Sequence, residues 1–145
     1  MSSEAVFLAK IFWDTNLFIY LFEEYPAFVG RVDELRRRML VRGDRLYTSA
    51  LTVGEILVGV EGAEAAQRYQ AFFQSPAVTV VPFDLRAASH YGRIRQDRGI
   101  ARPDAIQLAC AAAAEMNLFV TNDDRLSRKV VGGIDFITSL EMAPG

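Results

Sequence analysis

The sequence predicts an α/β fold with three layers, in which helices cover both faces of a central parallel sheet. Short apolar runs of strand length alternate with longer segments whose apolar residues recur every three or four positions. Helix-ending and helix-breaking residues separate them, among them Pro26, Gly43, Pro76 and Gly99. With 145 residues, 51% of them hydrophobic, the chain is long enough for one compact domain, which we expect to span 1–145.

The first half of the chain contains six predicted elements, two strands and four helices. We expect a strand at 6–13, a helix through Leu17–Phe22, a helix at 27–42, a strand at 45–49, and helices at 52–60 and 63–74. The helix at 27–42 should bury one apolar stripe and expose its arginines. That stripe consists of Phe28, Val32, Leu35, Met39 and Leu40.

The second half continues the alternation. We expect a strand at 78–82, a helix capped by Asp84 and running to 98, a helix at 102–116, a strand at 118–121, a short helix at 123–129 and an edge strand at 134–137. The run VTVVP at 78–82 has the continuous apolar character of a strand buried on both faces. The alanine-rich helix should pack closely and lie centrally.

Composition excludes several classes of function. The single cysteine, Cys110, cannot form an internal disulfide, and we expect it to be buried and inert in a reducing cytoplasm. No apolar run approaches the roughly 20 residues that a membrane span requires, and no membrane association is expected. The net charge of −2 gives no overall positive field for nucleic acid, but fourteen of the sixteen basic residues are arginines, and these occur in clusters.

Four acids stand where helices are predicted to begin: Asp14, Glu55, Asp104 and Asp123. Each alone has a simple structural explanation, because helix N-termini favour carboxylates, and Thr52 with Glu55 fits a capping box. In a parallel sheet with right-handed crossovers, however, every strand-to-helix junction lies at one edge. The four carboxylates would then share one crevice, where they repel each other unless a cation is bound.

Oxygen ligands alone select hard ions, so the acids predict Mg²⁺ or Mn²⁺. Small polar neighbours, Asn16 and Thr121, could support the ligating carboxylates. His90 has no second group near it in the sequence and is expected on the surface or in helix packing. A carboxylate crevice with a divalent cation can activate water and stabilise displacement at phosphorus, which makes phosphodiester hydrolysis the leading chemistry.

The motifs in this order resemble the PIN-domain ribonucleases, especially the VapC-type toxins of toxin–antitoxin pairs. They are D-T-N after an apolar strand, a helical Glu, P-D-A-I opening an alanine-rich helix, and V-T-N-D after a strand. The resemblance covers essentially the whole chain. It implies an α/β/α sandwich and a metal-binding, catalytic quartet of Asp14, Glu55, Asp104 and Asp123. The neighbouring Asp124 is an alternative to Asp123, which we favour because it holds the matching place in T-x-D.

The resemblance also implies partners. They are an RNA substrate, with tRNA or rRNA as frequent targets, a second copy of the chain in a homodimer, and a cognate antitoxin whose C-terminal segment blocks the cleft. Arginine forks suit phosphate, and the group nearest an acid in the sequence is the best candidate for contacting RNA. It comprises Arg93, Arg95, Arg98 and Arg102. The aromatic residues Phe18, Tyr20, Phe22 and Phe28 are expected in the core or, in part, at an interface.

Two alternatives remain open at this point. A non-catalytic PIN-like module could bind RNA or protein through the arginines, although the complete quartet argues against it. A haloacid-dehalogenase-like phosphatase also places an aspartate after an apolar strand. That family requires a second acid where this chain has Asn16, and a lysine before its last acidic pair, whereas the only lysines here are Lys10 and Lys129.

Overall fold

A computed structural model describes residues 8–144 of the chain. Its centre is a five-stranded sheet in which every neighbouring pair is parallel. The strands are β1 (Lys10–Trp13), β2 (Arg45–Ser49), β3 (Thr79–Val81), β4 (Met116–Thr121) and β5 (Ile134–Ser139), in the spatial order β3-β2-β1-β4-β5. The predicted parallel sheet is confirmed. Positions 6 and 7 of the predicted first strand lie outside the described residues.

Within the described part of the chain, six α-helices cover the two faces of the sheet. They are α1 (Thr15–Phe22), α2 (Val29–Arg42), α3 (Ala50–Val58), α4 (Ala63–Phe73), α5 (Leu85–Ile94) and α6 (Arg102–Ala113). A short 3₁₀ turn, Leu126–Arg128, follows β4 where a short helix at 123–129 was predicted. Within residues 8–144, none of the helices has the length and apolar character needed to cross a bilayer.

Strand β1 divides its side chains between two hydrophobic cores, because successive residues of a strand point to opposite faces. Ile11 and Trp13 pack with the core under α1 to α4. Phe12 points to the other face, where it stacks on Phe119 at a centroid distance of 4.9 Å beneath α5 and α6. The sheet is therefore buried on both sides at its centre, as the three-layer prediction requires.

Helix α6 lies centrally, as predicted. Its residues from Leu108 to Ala113 are all buried, and the alanines among them allow close approach to the sheet. The helix begins at Arg102, with Pro103 in its first turn, which places Asp104 at the same end. This buried helix therefore fixes the position of Asp104.

Several predicted helix boundaries are wrong. Helix α6 ends at Ala113 instead of 116, because Met116 already begins β4. Helix α3 begins two residues early, because Ser49 rather than Thr52 is its N-cap and accepts the backbone N–H of Thr52. The proposed capping box between Thr52 and Glu55 therefore does not form. Helix α5 ends at Ile94 instead of 98, and the chain continues in turns to Gly99.

Two burial predictions are also wrong. Leu40 was assigned to the apolar stripe of α2 but is 69% exposed, whereas Val32, Leu35 and Met39 are buried as predicted. Strand β3 is an edge strand with an exposed or half-buried pattern, and is not buried on both faces. An apolar run does not reveal how many neighbours a strand has, because strand order depends on long-range pairing.

Gly133 precedes β5 with φ of +95°, and a Cβ there would lie 2.9 Å from the Ala112 carbonyl oxygen of α6. We predict that Gly133→Ala lowers the free energy of unfolding by roughly 2 kcal/mol or more, from backbone strain and the clash. Gly30→Ala in α2 is the matched control, since a Cβ there meets nothing within 4 Å. It should stabilise the protein by about 0.5–1 kcal/mol. Equal urea midpoints for the two variants would contradict the prediction.

Candidate active site

Asp14 links the end of β1 to the start of α1. As the N-cap, it accepts the backbone N–H of Asn16 at its Oδ1, at 3.2 Å. Its Oδ2 accepts the hydroxyl of Thr121, at 2.5 Å, from the end of the adjacent strand β4. One oxygen of the carboxylate is thus held by a donor in the first turn of α1, and the other by a donor at the end of β4.

Thr121 connects two of the predicted acids. Its hydroxyl oxygen accepts the backbone N–H of Asp123 at 3.1 Å, while its proton goes to Asp14. Asp123 in turn uses Oδ1 to accept the N–H groups of Arg125 and Leu126, at 2.9 and 3.1 Å. One oxygen of Asp123 is therefore committed to capping the turn after β4.

The other two acids come from helices on opposite faces of the sheet. Glu55 lies on α3 with its side chain exposed, and its Oε1 accepts the Thr15 hydroxyl at 2.5 Å. Asp104 lies in the first turn of α6 and is half-buried. A cavity of about 250 Å³ brings Asp14, Glu55 and Asp104 together.

Asp123 does not line this cavity, but its negative charge acts on Asp104, which does. The pKa of Asp104 is raised, first by burial and then by the negative charges of Asp123 and Glu55. The pKa of Asp14 is raised to about 6, chiefly by burial, against the hydrogen bonds from Thr121 and Asn16, with Asp104 adding to the rise. The four predicted acids therefore form one electrostatically coupled set.

Although the charges of these acids affect one another, the four side chains are not arranged as a preformed metal-coordination site. Among residues 8–144, no three histidine, cysteine or acidic side chains are grouped so that they could hold one metal ion together. Asp14, Glu55 and Asp123 each have a carboxylate oxygen that accepts a hydrogen bond from a donor of the chain itself. The donor set is nevertheless made of oxygen atoms alone, which matches the chemistry of a hard cation.

The predicted supporting and RNA-binding residues differ in what they contact. Asn16 lines the cavity and reaches Asp14 through its backbone N–H. Arg93 donates to the Gly132 carbonyl, and Arg95 donates to the Ile100 carbonyl at 2.6 Å, so both bind the backbone of their own chain. Arg98 and Arg102 are exposed.

Sequence reasoning missed a polar group beneath the acids. Gln107, buried one helical turn after Asp104, donates to the hydroxyls of Thr15 and Thr52, at 3.0 and 2.8 Å. Its carbonyl oxygen accepts the hydroxyl of Ser49. The available signal was a single glutamine in an otherwise apolar helical face, three residues after a candidate acid.

The remaining nucleophilic or basic candidates lie outside this cleft. Cys110 is buried, as predicted, and burial raises the pKa of its thiol to about 11. His90 is half-buried on α5 beside Arg93, and desolvation followed by the charges of Arg93 and Arg86 lowers its pKa. Neither residue lines the acidic cavity.

A second cavity, of about 350 Å³, adjoins the first and shares Ile19 and Glu55 with it. It lies between α1, α3 and α4, with an apolar floor that includes Phe22, Ile56 and Tyr69. Glu23 and Glu61 stand among its lining residues together with Glu55. Of the aromatic residues predicted for core or interface, Phe22 lines this cavity and stacks on Tyr69, whereas Phe18 is buried in the core.

Comparisons with known proteins agree with this architecture. The model of the PIN domain matches residues 11–131. No protein of curated function matches the sequence at a significant level.

Several solved toxin–antitoxin complexes have a similar fold. DNA-bound VapBC from Salmonella typhimurium is 25% identical, with a TM-score of 0.67, over 92% of this chain and 99% of that chain. VapBC2 from Rickettsia felis, bound to a DNA fragment from its promoter, is 18% identical with a TM-score of 0.65, over 90% and 98%. A toxin–antitoxin complex from Klebsiella pneumoniae is 20% identical with a TM-score of 0.63, over 86% and 94%.

The raised pKa of Asp14 means that its ionisation is less favourable in the folded chain than in the unfolded chain. Its contribution to stability is fully present below pH 3.8 and is lost as the pH rises through about 6. We therefore predict that, in EDTA at pH 8, Asp14→Asn is more stable than the parent by about 1–3 kcal/mol. The gain should vanish near pH 3.5 when urea unfolding is followed across pH.

Asp124→Asn is the control for this measurement, because Asp124 is exposed. Its free energy of unfolding should stay within about 0.5 kcal/mol of the parent at every pH. If Asp14→Asn were less stable than the parent at pH 8, burial would not be the dominant influence on this carboxylate.

Proposed function

This chain belongs to the PIN-domain family, and from that membership and the geometry of the acidic cleft we propose that it is a divalent-metal-dependent endoribonuclease. The observation that carries the proposal is the convergence of Asp14, Glu55 and Asp104, from three separate elements, on one cavity, with Asp123 near enough for its charge to raise the pKa of Asp104. Such coupling raises the free energy of the ionised site, and a cation would relieve it. Membership of the family also removes the phosphatase alternative.

We propose Asp14, Glu55, Asp104 and Asp123 as the residues that would hold Mg²⁺ or Mn²⁺. When bound, the cation would supply an activated water and stabilise charge at phosphorus. Thr121 and the N–H of Asn16 would keep Asp14 ionised and oriented, since hydrogen bonds to the charged form favour it. Glu55 already lines the cavity, where Thr15 donates to its Oε1, so it can contribute a carboxylate oxygen to the ligand set.

RNA phosphates need positive partners near these acids. Arg98 and Arg102 are the better candidates within the predicted group, because they are exposed at the approach to α6. Arg93 and Arg95 instead hold backbone carbonyls, and their role is more structural. The substrate could be tRNA or rRNA, as is frequent among the ribonucleases that this chain resembles.

Mutation of one acid tests the mechanism. We predict that purified protein cleaves structured RNA with Mg²⁺ or Mn²⁺ and that EDTA stops the reaction. Asp104→Asn should reduce the cleavage rate by at least about 100-fold, since it removes a proposed metal ligand that interacts with the other acids of the site. The rates should be measured by gel analysis of end-labelled RNA, with folding verified by circular dichroism.

Asp124→Asn is the matched control in that assay, because it removes the neighbouring exposed acid of the same motif. It should cleave at the parental rate. Cleavage that persists in excess EDTA would disprove the metal mechanism. Metal-dependent RNA binding without any cleavage would support the non-catalytic alternative.

We further propose that the chain is the VapC-type toxin of a type II toxin–antitoxin pair. The similar solved structures are toxin–antitoxin complexes. The groove between α1, α3 and α4 has an apolar floor and acidic residues, and it adjoins the cleft through Glu55. An amphipathic antitoxin segment with basic residues fits that chemistry and would cover the active site. The homodimer and the cytoplasmic location stay predictions.

Expression in cells tests the toxin proposal. The chain should arrest growth of a bacterial host when induced, and co-expression of the small open reading frame next to its gene should restore growth. Asp104→Asn should be harmless at equal protein level, because the arrest would depend on cleavage. Arrest caused equally by Asp104→Asn would rule out a nuclease toxin.

A further inference from the structure

Gln107 lies on the same face of α6 as Asp104, one turn along the helix, and is only 4% exposed. A buried side-chain amide has two N–H donors and one carbonyl acceptor that need partners. Here the nitrogen donates to Thr15 and Thr52, and the oxygen accepts from Ser49. The amide is therefore engaged at both ends, and it connects α6 to the start of α1 and to α3.

The direction of these hydrogen bonds follows from the neighbours. The Thr15 hydroxyl has one proton, and it donates that proton to Glu55 Oε1, 2.5 Å away. The proton of Thr15 therefore points at Glu55, and its oxygen must accept from its two other neighbours. These are the hydroxyl of Thr52, at 3.2 Å, and the side-chain nitrogen of Gln107. The oxygen of Gln107 cannot take that place.

Ser49 fixes the same orientation from the other end. Its hydroxyl oxygen accepts the backbone N–H of Thr52, so its single proton is free to go to the carbonyl of Gln107. The oxygen of the amide thus faces Ser49 while the nitrogen faces the two threonines. Reversing the amide would leave Thr15 with two acceptors and one proton.

We infer that Gln107 is a positioning residue for Glu55, acting through the hydroxyl of Thr15. Glu55 is exposed, and holding such a side chain in one rotamer costs conformational entropy that a hydrogen-bond partner must offset. Thr15 provides that partner, and Gln107 fixes which way the hydroxyl of Thr15 points. This inference rests on the proposed function, in which Glu55 helps to bind the cation.

A purely structural role predicts something different. If Gln107 only held the helices together, its loss would lower stability without changing how the folded protein binds a cation. If it positions Glu55, its loss should weaken cation binding even in protein that is fully folded. The affinity for Mn²⁺ alone, measured by electron paramagnetic resonance of the free ion, separates the two roles.

The variants should be compared below their melting temperatures. We predict that Gln107→Met weakens Mn²⁺ binding about tenfold, as loss of outer-shell partners typically does. Its kcat for RNA cleavage should fall at limiting Mn²⁺, with KM for RNA unchanged. Thr15→Val should show a loss at least as large, whereas Thr15→Ser, which keeps the hydroxyl, should bind nearly as the parent does.

The double variant Thr15→Val with Gln107→Met should be no worse than Thr15→Val alone, because both changes break one chain of contacts. Ile100→Val is the stability control, since Ile100 is buried in the core under α5 and α6 and does not line the cavity. It should leave Mn²⁺ affinity unchanged.

Parental Mn²⁺ affinity in folded Gln107→Met, or independent losses in the double variant, would overturn the inference. Should Gln107→Met fail to fold, Thr52→Val removes both an acceptor of the amide and the 3.2 Å hydroxyl contact to Thr15, and it should weaken Mn²⁺ binding in the same direction. Parental affinity in Thr52→Val would then overturn it. Failure of the parent to cleave RNA would instead refute the proposed nuclease, while the Mn²⁺ titrations would still decide the role of Gln107.

Discussion

The repulsion between carboxylates at one edge of the sheet is the constraint on which the rest of the site depends. A parallel sheet brings its strand-to-helix junctions to the same edge, and this chain places acids at or near those junctions. Asp14 and Asp104 have raised pKa values because burial and neighbouring negative charge both disfavour ionisation. The fold holds these acids together although their proximity lowers its stability, which is typical of functional sites.

The hydrophobic cores on both faces of the sheet stabilise the fold against the repulsion between these carboxylates. Phe12 and Trp13 bury β1 on both faces, and β1 ends directly at Asp14. Helix α6 can lie deep against the sheet because its buried face consists largely of alanines, and Gly133 lets the chain pass within contact of Ala112. A rigid core on both sides fixes the positions of the acids, so repulsion can turn their side chains but cannot separate the elements that carry them.

Local sequence patterns were sufficient for much of the fold but not for its long-range features. The strand at 45–49 and the cap at Asp84 were predicted correctly, since both depend on nearby residues. The edge position of β3 was not, because it depends on which strands pair. In the site, Asp14 and Thr121 stand next to strands and could be located from sequence. Gln107 could not, because its partners are separated from it by 55 residues or more along the chain.

The two threonines that contact the acids have different tasks. Thr121 donates to Asp14, whose burial opposes ionisation, so this hydrogen bond supports the charged form and lowers the pKa against the larger effect of burial. Thr15 donates to Glu55, which is exposed. What Thr15 can supply is direction, because a free glutamate samples several rotamers. Thr121 thus supports the charge of half-buried Asp14, whereas Thr15 orients exposed Glu55 and is itself held by the buried amide of Gln107.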